Sequence, residues 1–227
     1  MNDPKENQLW SFSGGGKSLQ DMYPEEYSHE THIDLQYKLG HEVKLSSQII
    51  CFVNEKPETG VLNEMMWAHY ADNHRGICLE IDIDKFVVEN KEQLVDYVFE
   101  PVSYGSSENP VFWADPLLEK KDCIKAFVKK EYKKLFLHKS LYWEHENEKR
   151  LLIFDPAQRC LSINESLTGL YMGLSFPTSY RPSIDNLIDE TKTKIYDLVF
   201  QGHKIELWQR KKNDFRPIIT RKILDNL

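Results

Sequence analysis

The stretch HKSLYWEHENEKRLLIF, residues 138–154, places alternating charged residues directly before an apolar run. Glu146, Glu148 and Arg150 occupy every second position, and the run Leu151–Phe154 follows them. In a β-strand every second side chain lies on the same face of the sheet. The pattern therefore predicts a strand that gathers two carboxylates and a guanidinium beside a buried segment, where charged groups need partners and are often functional.

The length and composition predict one folded domain over residues 1–227, with an irregular N-terminal segment at about 1–18. Of the 227 residues, 41% are hydrophobic and 12% aromatic, which is typical of a globular protein. No apolar run approaches the roughly 20 residues of a membrane-spanning helix, and the N-terminus lacks the features of a signal peptide. We therefore expect a cytoplasmic protein without a membrane partner. The net charge of −7 argues against broad nucleic-acid binding.

Strand-like and helix-like segments alternate without a regular βαβ rhythm, which predicts an α+β fold with a mixed or antiparallel central sheet and flanking helices. Strands are predicted at 47–53, 76–84, 94–104, 148–154, 195–200, 203–209 and 216–220. Helices are predicted at 62–73, 115–138 and 182–194, with one or two short helices within 19–40 and a short helix or strand at 167–173.

The longest predicted helix, 115–138, has Asp115 as its N-cap and an apolar stripe along one face. Lysines cover the rest of it: Lys120, Lys121, Lys125, Lys129, Lys130, Lys133 and Lys134. Such a pattern is most typical of a solvated face. A basic segment at 203–222 adds seven further cations, so a nucleic-acid or protein partner at either place stays open.

Three segments occur in a fixed order: NDPKE at 2–6, MMWAHYADNHRGICLEID at 65–82, and W-x-x-E-x-E-x-R at 143–150. Together they resemble the uncharacterised bacterial domain-of-unknown-function 2971 family, over nearly the whole chain. The resemblance implies a fold and a bacterial or phage origin but no established reaction. It also implies a leading strand before N-D-P, which we expect this chain to lack, and a serine where this chain has Val53. A truncated, inactive family member is therefore one alternative.

The acidic–arginine stretch is the predicted catalytic site. Glu148 would stabilise a cationic transition state or act as a base, Glu146 would orient the acceptor, and Arg150 would bind phosphate. A Glu-x-Glu beside a strand is similar to that of arginine-directed ADP-ribosyltransferases, which implies glycosyl or ADP-ribosyl transfer or hydrolysis with NAD as the cofactor. Lys139 and Trp143 complete the substrate-binding residues of this stretch. The competing interpretation is a purely structural ion-pair network.

A second group of substrate-binding residues is predicted around the helix at 62–73. Trp67 and Tyr70 are i, i+3 neighbours that would form a pocket wall or belong to the core. His69 titrates near neutral pH and could act as a general base, although a histidine between aromatic residues is more often structural. Arg75, at the helix end, would bind phosphate or pair with one of the two glutamates.

The leading hypothesis is one polar cleft built from both groups, which binds a nucleotide-like small molecule. The sequence does not decide whether the protein is an enzyme, and the alternative is a non-catalytic regulatory or defence-associated binding module. The histidine spacing matches no H-x-x-x-H or H-E-x-x-H pattern, so no metal site is predicted.

Overall fold

The computed structural model describes residues 18–27, 29–53, 60–157, 160–190, 193–211 and 214–219. Two compact units are present, Met1–Asn54 with Asp96–Arg159 and Glu55–Val95 with Cys160–Leu227, called unit 1 and unit 2 below. Each unit is assembled from two separate stretches of chain. The segment NDPKE and nearly all of the predicted irregular segment 1–18 lie outside the described residues, and the single domain stays a prediction.

Helices and strands follow one another along the chain without a regular βαβ rhythm, as predicted. They are α1 (Leu19–Met22), α2 (His32–Leu45), β1 (Gln48–Val53), α3 (Glu64–Tyr70), β2 (Ile77–Ile81), α4 (Ile83–Glu89), β3 (Tyr97–Pro101), β4 (Ser103–Tyr104), α5 (Lys120–Phe136), β5 (His138–Lys139), a 3-10 helix (Leu141–Glu146), β6 (Glu148–Ile153), β7 (Leu167–Met172), a 3-10 helix (Thr178–Tyr180), α6 (Arg181–Glu190), β8 (Lys194–Gln201), β9 (Lys204–Lys211) and β10 (Asp214–Ile219).

Unit 1 contains a three-stranded antiparallel sheet in the order β1-β6-β3. The central strand β6 carries Leu151, Leu152 and Ile153, all buried, as expected for a strand that is covered on both faces. Leu152 belongs to a core whose other members come from α1, α2, α5 and the segment around Phe112. The short strands β4 and β5 form a separate parallel pair. This arrangement places α5 against the sheet face that also carries Arg150.

Unit 2 contains a five-stranded sheet in the order β10-β9-β8-β7-β2. Strands β7 and β8 are parallel and the other pairs are antiparallel, so the predicted mixed sheet and the α+β class are confirmed. Parallel neighbours need a crossover connection, and α6 supplies it here. Leu170, Met172, Phe176 and Ile195 form one apolar cluster with Ile184 of α6 packed against it.

The helix predicted at 115–138 begins later than expected. Asp115 does not cap it: its Oδ1 accepts a hydrogen bond from the Leu117 amide and forms a turn, and α5 begins at Lys120 after Glu119. The Asp-Pro pair at 115–116 is typical of turn initiation as well as of helix starts, so the sequence pattern alone did not separate the two.

The strand predicted at 76–84 is shorter than expected. It ends at Ile81, because Asp82 caps α4 with its Oδ1 accepting a hydrogen bond from the Lys85 amide. Ile77 and Leu79 alternate with Cys78 and Glu80 along β2, yet they are 44% and 41% exposed. Cys78 instead packs against the apolar cluster of Trp67, Leu198 and Leu207.

Candidate functional site

The W-x-x-E-x-E-x-R stretch is not a single strand. Residues Leu141–Glu146 form a 3-10 helix, and Asn147 adopts a left-handed conformation with φ 43° and ψ 50° before β6 begins at Glu148. Asparagine is one of the few residues that readily adopt this conformation. Glu148 and Arg150 therefore share a strand face as predicted, whereas Glu146 reaches the same place from the end of the 3-10 helix.

Lys139, Glu146, Glu148 and Arg150 form one buried charge cluster, each residue between 1% and 6% exposed. The Lys139 Nζ lies 2.5 Å from Glu146 Oε2 and 2.8 Å from Glu148 Oε2, so it bridges the two carboxylates. Lys139 was predicted only as a substrate contact, and its role as the bridging cation was missed. The two carboxylates face into the protein and are compensated there by two cations.

Arg150 joins this cluster to the C-terminal end of α5. Its Nε and Nη2 donate to Glu148 at 2.8 and 3.0 Å, a paired geometry that is among the strongest available to side chains. Its Nη1 donates to the carbonyl of Phe136, the last residue of α5. A cation is favourable at a helix C-terminus, where carbonyl groups lack partners within the helix. Arg150 therefore fixes the end of α5 against β6.

The buried charge cluster keeps Glu148 ionised. Burial by itself would raise the pKa of Glu148, but the hydrogen bonds and charge of Arg150, together with Cys51 and Lys139, lower it to about 2. Burial would likewise lower the pKa of Lys139, yet its contacts with Glu146 and Glu148 raise it above the ordinary value. At neutral pH Glu148 is thus a carboxylate that does not readily take up a proton.

Three neighbours surround Glu148 and Lys139. The Trp143 ring centroid lies 5.6 Å from Lys139 Nζ, within cation–π range, and Trp143 is half-buried. The Glu148 amide donates to the Tyr104 hydroxyl at 2.8 Å. Cys51 is exposed as a residue, but desolvation of its thiol and a hydrogen bond with Glu148 raise the pKa of Cys51 to about 12. Cys51 therefore contacts the cluster through a desolvated thiol, although the residue as a whole is exposed.

The second predicted group lies in unit 2, along α3 and the turn that follows it. Trp67 is buried, packs against Leu198 and Leu207, and donates its Nε1 hydrogen bond to the Val61 carbonyl at 2.7 Å. Trp67 was predicted to form a pocket wall or to belong to the core, and its burial fits the core. His69, Tyr70 and Arg75 are exposed. The single cleft formed by both groups stays a prediction.

The turn after α3 contains an unusual run of backbone conformations. Asp72, Asn73 and His74 have consecutive positive φ angles of 46°, 52° and 67°. The His74 ring stacks on Trp67, with centroids 6.5 Å apart and planes 12° apart. Among the described residues, the buried His74 Nδ1 has no hydrogen-bond partner. His74 was missed as a site residue, and the only signal for it was the Asp-Asn-His run, whose members tolerate left-handed φ better than most residues.

The lysine-rich face of α5 is largely compensated by acidic residues. Ion pairs join Lys120 to Glu42, Lys129 to Asp96, Lys133 to Glu100, and Lys134 to Glu131. This supports the solvated-face interpretation over a nucleic-acid contact. Of the basic segment 203–222, the structure describes the side chains of Lys204 and Arg210, and the other basic side chains lie outside the description.

The described part of the chain contains no group of three or more His, Cys, Asp and Glu side chains that could hold a metal ion. Among the same residues, no helix combines the length and the apolar character that a membrane span requires.

The fold and the buried charge cluster define an α+β protein of two compact units, one of which is organised around a Lys-Glu-Glu-Arg network. Residues 66–151 match the model of a family described as "Protein of unknown function (DUF2971)", which confirms over this stretch the family named from the sequence motifs. The matched segment runs from α3 to β6 and contains both predicted groups of site residues. Comparison with curated proteins and with solved structures gave no match.

Proposed function

We propose that the protein is a small-molecule-binding module that recognises a nucleotide-like ligand at the α3 turn, defined as residues His69–Arg75. In this proposal the buried charge cluster is a structural core of unit 1 and not the ligand site. The observation that carries the proposal is the run of three left-handed residues, Asp72–His74, between an exposed tyrosine and an exposed arginine.

Left-handed backbone at residues other than glycine costs about 1–3 kcal/mol each and persists where surrounding contacts enforce it. Those contacts are present here: the His74 amide donates to the Trp67 carbonyl at 3.2 Å, and the Ser175 amide donates to the His74 carbonyl at 3.0 Å. Strain of this kind occurs preferentially at ligand and active sites. This favours a role in binding for the side chains that the turn positions.

The α3 turn offers the groups that a nucleotide requires. The Tyr70 ring is 52% exposed, and a base can stack on such a ring, while the Arg75 guanidinium can form paired hydrogen bonds with a phosphate. His69 adds a donor or acceptor beside the Tyr70 ring, with the two ring centroids 6.5 Å apart. The His74 Nδ1, which has no hydrogen-bond partner within the described part of the chain, provides a further polar atom that a ligand or a bound water would satisfy.

The buried charge cluster fits a structural role better than a catalytic one. Its two carboxylates and two cations sum to zero charge, so the cluster offers no net charge to a substrate. The Arg150 guanidinium donates hydrogen bonds to Glu148 and to the Phe136 carbonyl, which argues against phosphate binding by this residue. Removing one member would leave an uncompensated buried charge, which is strongly unfavourable.

The test is a binding screen with AMP, ADP and NAD+ by thermal shift, followed by titration calorimetry of any ligand that raises the melting temperature. We expect Tyr70→Ala and Arg75→Gln each to weaken binding about tenfold or more, since stacking and charge-assisted hydrogen bonds each contribute about 1–3 kcal/mol. Tyr37→Ala is the matched control, because Tyr37 on α2 is 58% exposed and Tyr70 is 52% exposed. No response to any of the three nucleotides, or affinity unchanged in both variants, would refute the proposal.

A second candidate function is glycosyl or ADP-ribosyl transfer from NAD, with Glu148 as an electrostatic group. The observation that favours it is the pKa of about 2 together with the contact between Glu148 and the exposed Cys51. A carboxylate that is ionised at every physiological pH suits stabilisation of an oxocarbenium-like centre and does not suit general-base catalysis. Release of nicotinamide from NAD+ by the wild-type protein, lost in a folded Glu148→Gln variant, would support it. Absence of nicotinamide release by the wild-type protein would exclude it.

A further inference from the structure

We infer that Ser103 and His138 form a nucleophile–base pair for acyl transfer, carried by the parallel strands β4 and β5 of unit 1. Ser103 Oγ lies 3.0 Å from His138 Nδ1, and His138 Nε2 lies 3.1 Å from the carbonyl oxygen of Gly105. A serine, a histidine within hydrogen-bond reach and a third group that orients the imidazole are the parts that nucleophilic catalysis requires. The pair involves none of the residues of the α3 turn, so it is independent of the proposed nucleotide site.

The partners of His138 decide where the proton of the neutral imidazole lies. A backbone carbonyl only accepts hydrogen bonds, so Nε2, which faces Gly105, carries the N–H, and Nδ1 carries the lone pair. The Ser103 hydroxyl lies 3.0 Å from both Nδ1 and the Leu137 carbonyl. The Leu137 carbonyl already accepts a hydrogen bond from the Ser103 amide at 2.9 Å, whereas the Nδ1 lone pair needs the hydroxyl as its donor. The hydroxyl therefore donates to His138, which is the direction that activates a serine.

The next residue on each strand anchors the pair to the buried charge cluster. β4 and β5 align Ser103 with His138 and Tyr104 with Lys139. Both anchors contact Glu148: Lys139 Nζ lies 2.8 Å from its carboxylate, and the Tyr104 hydroxyl accepts a hydrogen bond from its amide at 2.8 Å. Successive side chains of a strand alternate between faces, so this anchoring turns Ser103 and His138 to the opposite face. The buried charge cluster thus holds both members of the pair in place from behind, as a catalytic constellation requires.

The surroundings of the pair indicate the substrate class. Ser103 is exposed and His138 is half-buried, so the hydroxyl belongs to the solvent-facing side of the strand pair. The 3-10 helix that begins at Leu141 packs against β4, and its Leu141 and Tyr142 are 60% and 90% exposed. Exposed apolar side chains close to a nucleophile suit an uncharged, apolar acyl group. The substrate class is therefore an ester of an apolar carboxylic acid.

The reaction is ester hydrolysis through an acyl-serine. Ser103 Oγ attacks the carbonyl carbon of the ester, while His138 Nδ1 takes the hydroxyl proton. The C–O bond to the alcohol then breaks, and the departing oxygen takes this proton from Nδ1. Water hydrolyses the acyl-serine with His138 again as the base, which releases the carboxylic acid and restores the serine. One ester and one water are consumed, one acid and one alcohol are formed, and nothing is oxidised or reduced.

The test is covalent labelling of the full chain with an alkyl fluorophosphonate, which reacts with activated serines, followed by mass spectrometry of the digested protein. We expect the label on Ser103, no label at this position in Ser103→Ala, and labelling about 100-fold slower or more in His138→Gln, because base catalysis contributes about 10²–10⁴-fold. Ser107→Ala is the matched control, since Ser107 is also exposed but its hydroxyl donates to the Glu108 carbonyl at 3.3 Å. It should label at the wild-type rate.

A second readout is the hydrolysis of p-nitrophenyl butyrate, an ester with a short apolar acyl group. Hydrolysis should be lost in Ser103→Ala and kept in Ser107→Ala. Ser103→Ala should melt at the wild-type temperature, because the Leu137 carbonyl keeps its hydrogen bond from the amide of residue 103. Tyr70→Ala should leave both readouts unchanged, which separates this pair from the α3 turn.

A purely structural contact between the two strands predicts different results. In that case the wild-type protein would carry no label on Ser103, or His138→Gln would be labelled as fast as the wild type. Either outcome would overturn the inference. Equal hydrolysis of p-nitrophenyl butyrate by the wild type and a folded Ser103→Ala protein would do the same.

Discussion

Lys139 is the residue on which the buried charge cluster depends, since it is within 3 Å of a carboxylate oxygen of both Glu146 and Glu148. Lys139→Met would leave these glutamates with one fewer compensating charge in the interior. We expect a loss of about 3–5 kcal/mol in the free energy of unfolding. This would be a large share of the total stability of a typical domain, about 5–15 kcal/mol. The measurement is urea-induced unfolding at neutral pH.

The matched control for that substitution is Lys133→Met. Lys133 also forms an ion pair, with Glu100 at 2.9 Å, but its side chain is 67% exposed. Exposed ion pairs contribute about 0–1 kcal/mol, so the control should lose no more than that. Equal losses in both variants would mean that the buried charge cluster is not a special source of stability.

Glu148 gives the protein a predicted sensitivity to acid. Arg150 and Lys139 hold its pKa at about 2 in the folded state, below the ordinary 4.5. The resulting stabilisation is complete above about pH 4.5 and is lost as the pH falls toward 2, because protonation breaks the contacts with the cations. A shift of this size corresponds to about 3 kcal/mol. Unfolding free energies measured between about pH 6 and pH 3 should fall more steeply in the wild type than in Glu148→Gln; parallel curves would contradict this assignment.

Only part of the candidate site could be predicted from local sequence. Alternation placed Glu148 and Arg150 on one face because strand periodicity is a local property of the backbone. The burial of the group and the bridging position of Lys139 depend on where β5 and the 3-10 helix pack. These are tertiary contacts that no spacing rule encodes. The sequence therefore identified Glu146, Glu148 and Arg150 but not the bridging role of Lys139, and it did not decide between an open site and an internal network.

At the scale of elements, the α3 turn depends on a contact with the end of β7. A side chain on Gly173 would collide with the backbone carbonyl of His74, whereas a side chain on Gly169 would meet mainly the flexible end of Glu80. We therefore expect Gly173→Ala to cost about 1–3 kcal/mol and to weaken ligand binding at the α3 turn. Gly169→Ala should cost less and leave ligand binding intact, as judged by urea unfolding and calorimetry.

The opposite ranking of the two glycine variants would show that the turn at 72–74 adjusts freely. In that case its positive φ angles would be a by-product of packing and would not support ligand binding at the α3 turn. A stable Gly173→Ala protein with full ligand affinity would have the same consequence.

Element types were predicted better than element ends. Most predicted helices and strands are present, because apolar periodicity and turn residues such as Gly76 are local signals. The ends differ where a side chain caps the backbone in a way that competes with the pattern, as Asp82 does at the start of α4. Alternation along β2 does not identify its buried face, because an edge strand can expose its aliphatic side chains, here Ile77 and Leu79, while a small residue such as Cys78 packs inward.

At the scale of the whole molecule, the chain passes twice through each compact unit. In unit 1 the central strand β6 pairs with β1, which precedes it by about 100 residues of sequence, as the partners Gln48 and Ile153 show. In unit 2 strand β2 pairs with β7 across a similar separation, as Ile77 and Met172 show. Each sheet pairs strands that are far apart in the sequence, and such long-range pairing is expected to make folding slow.

The segment matched by the family model, residues 66–151, therefore should not fold by itself. It contains the first four residues of β6 without the partner strand β1, and it contains β2 without its partner β7. Both strands would expose unpaired backbone groups and an apolar face, which favours an unfolded or aggregated chain. We expect a fragment of residues 66–151 to show a poorly dispersed NMR spectrum and no cooperative thermal transition, whereas the full chain shows both dispersion and a transition. A cooperative transition in the fragment would mean that the family segment is an autonomous domain, and the division into two discontinuous units would then not describe how this protein folds.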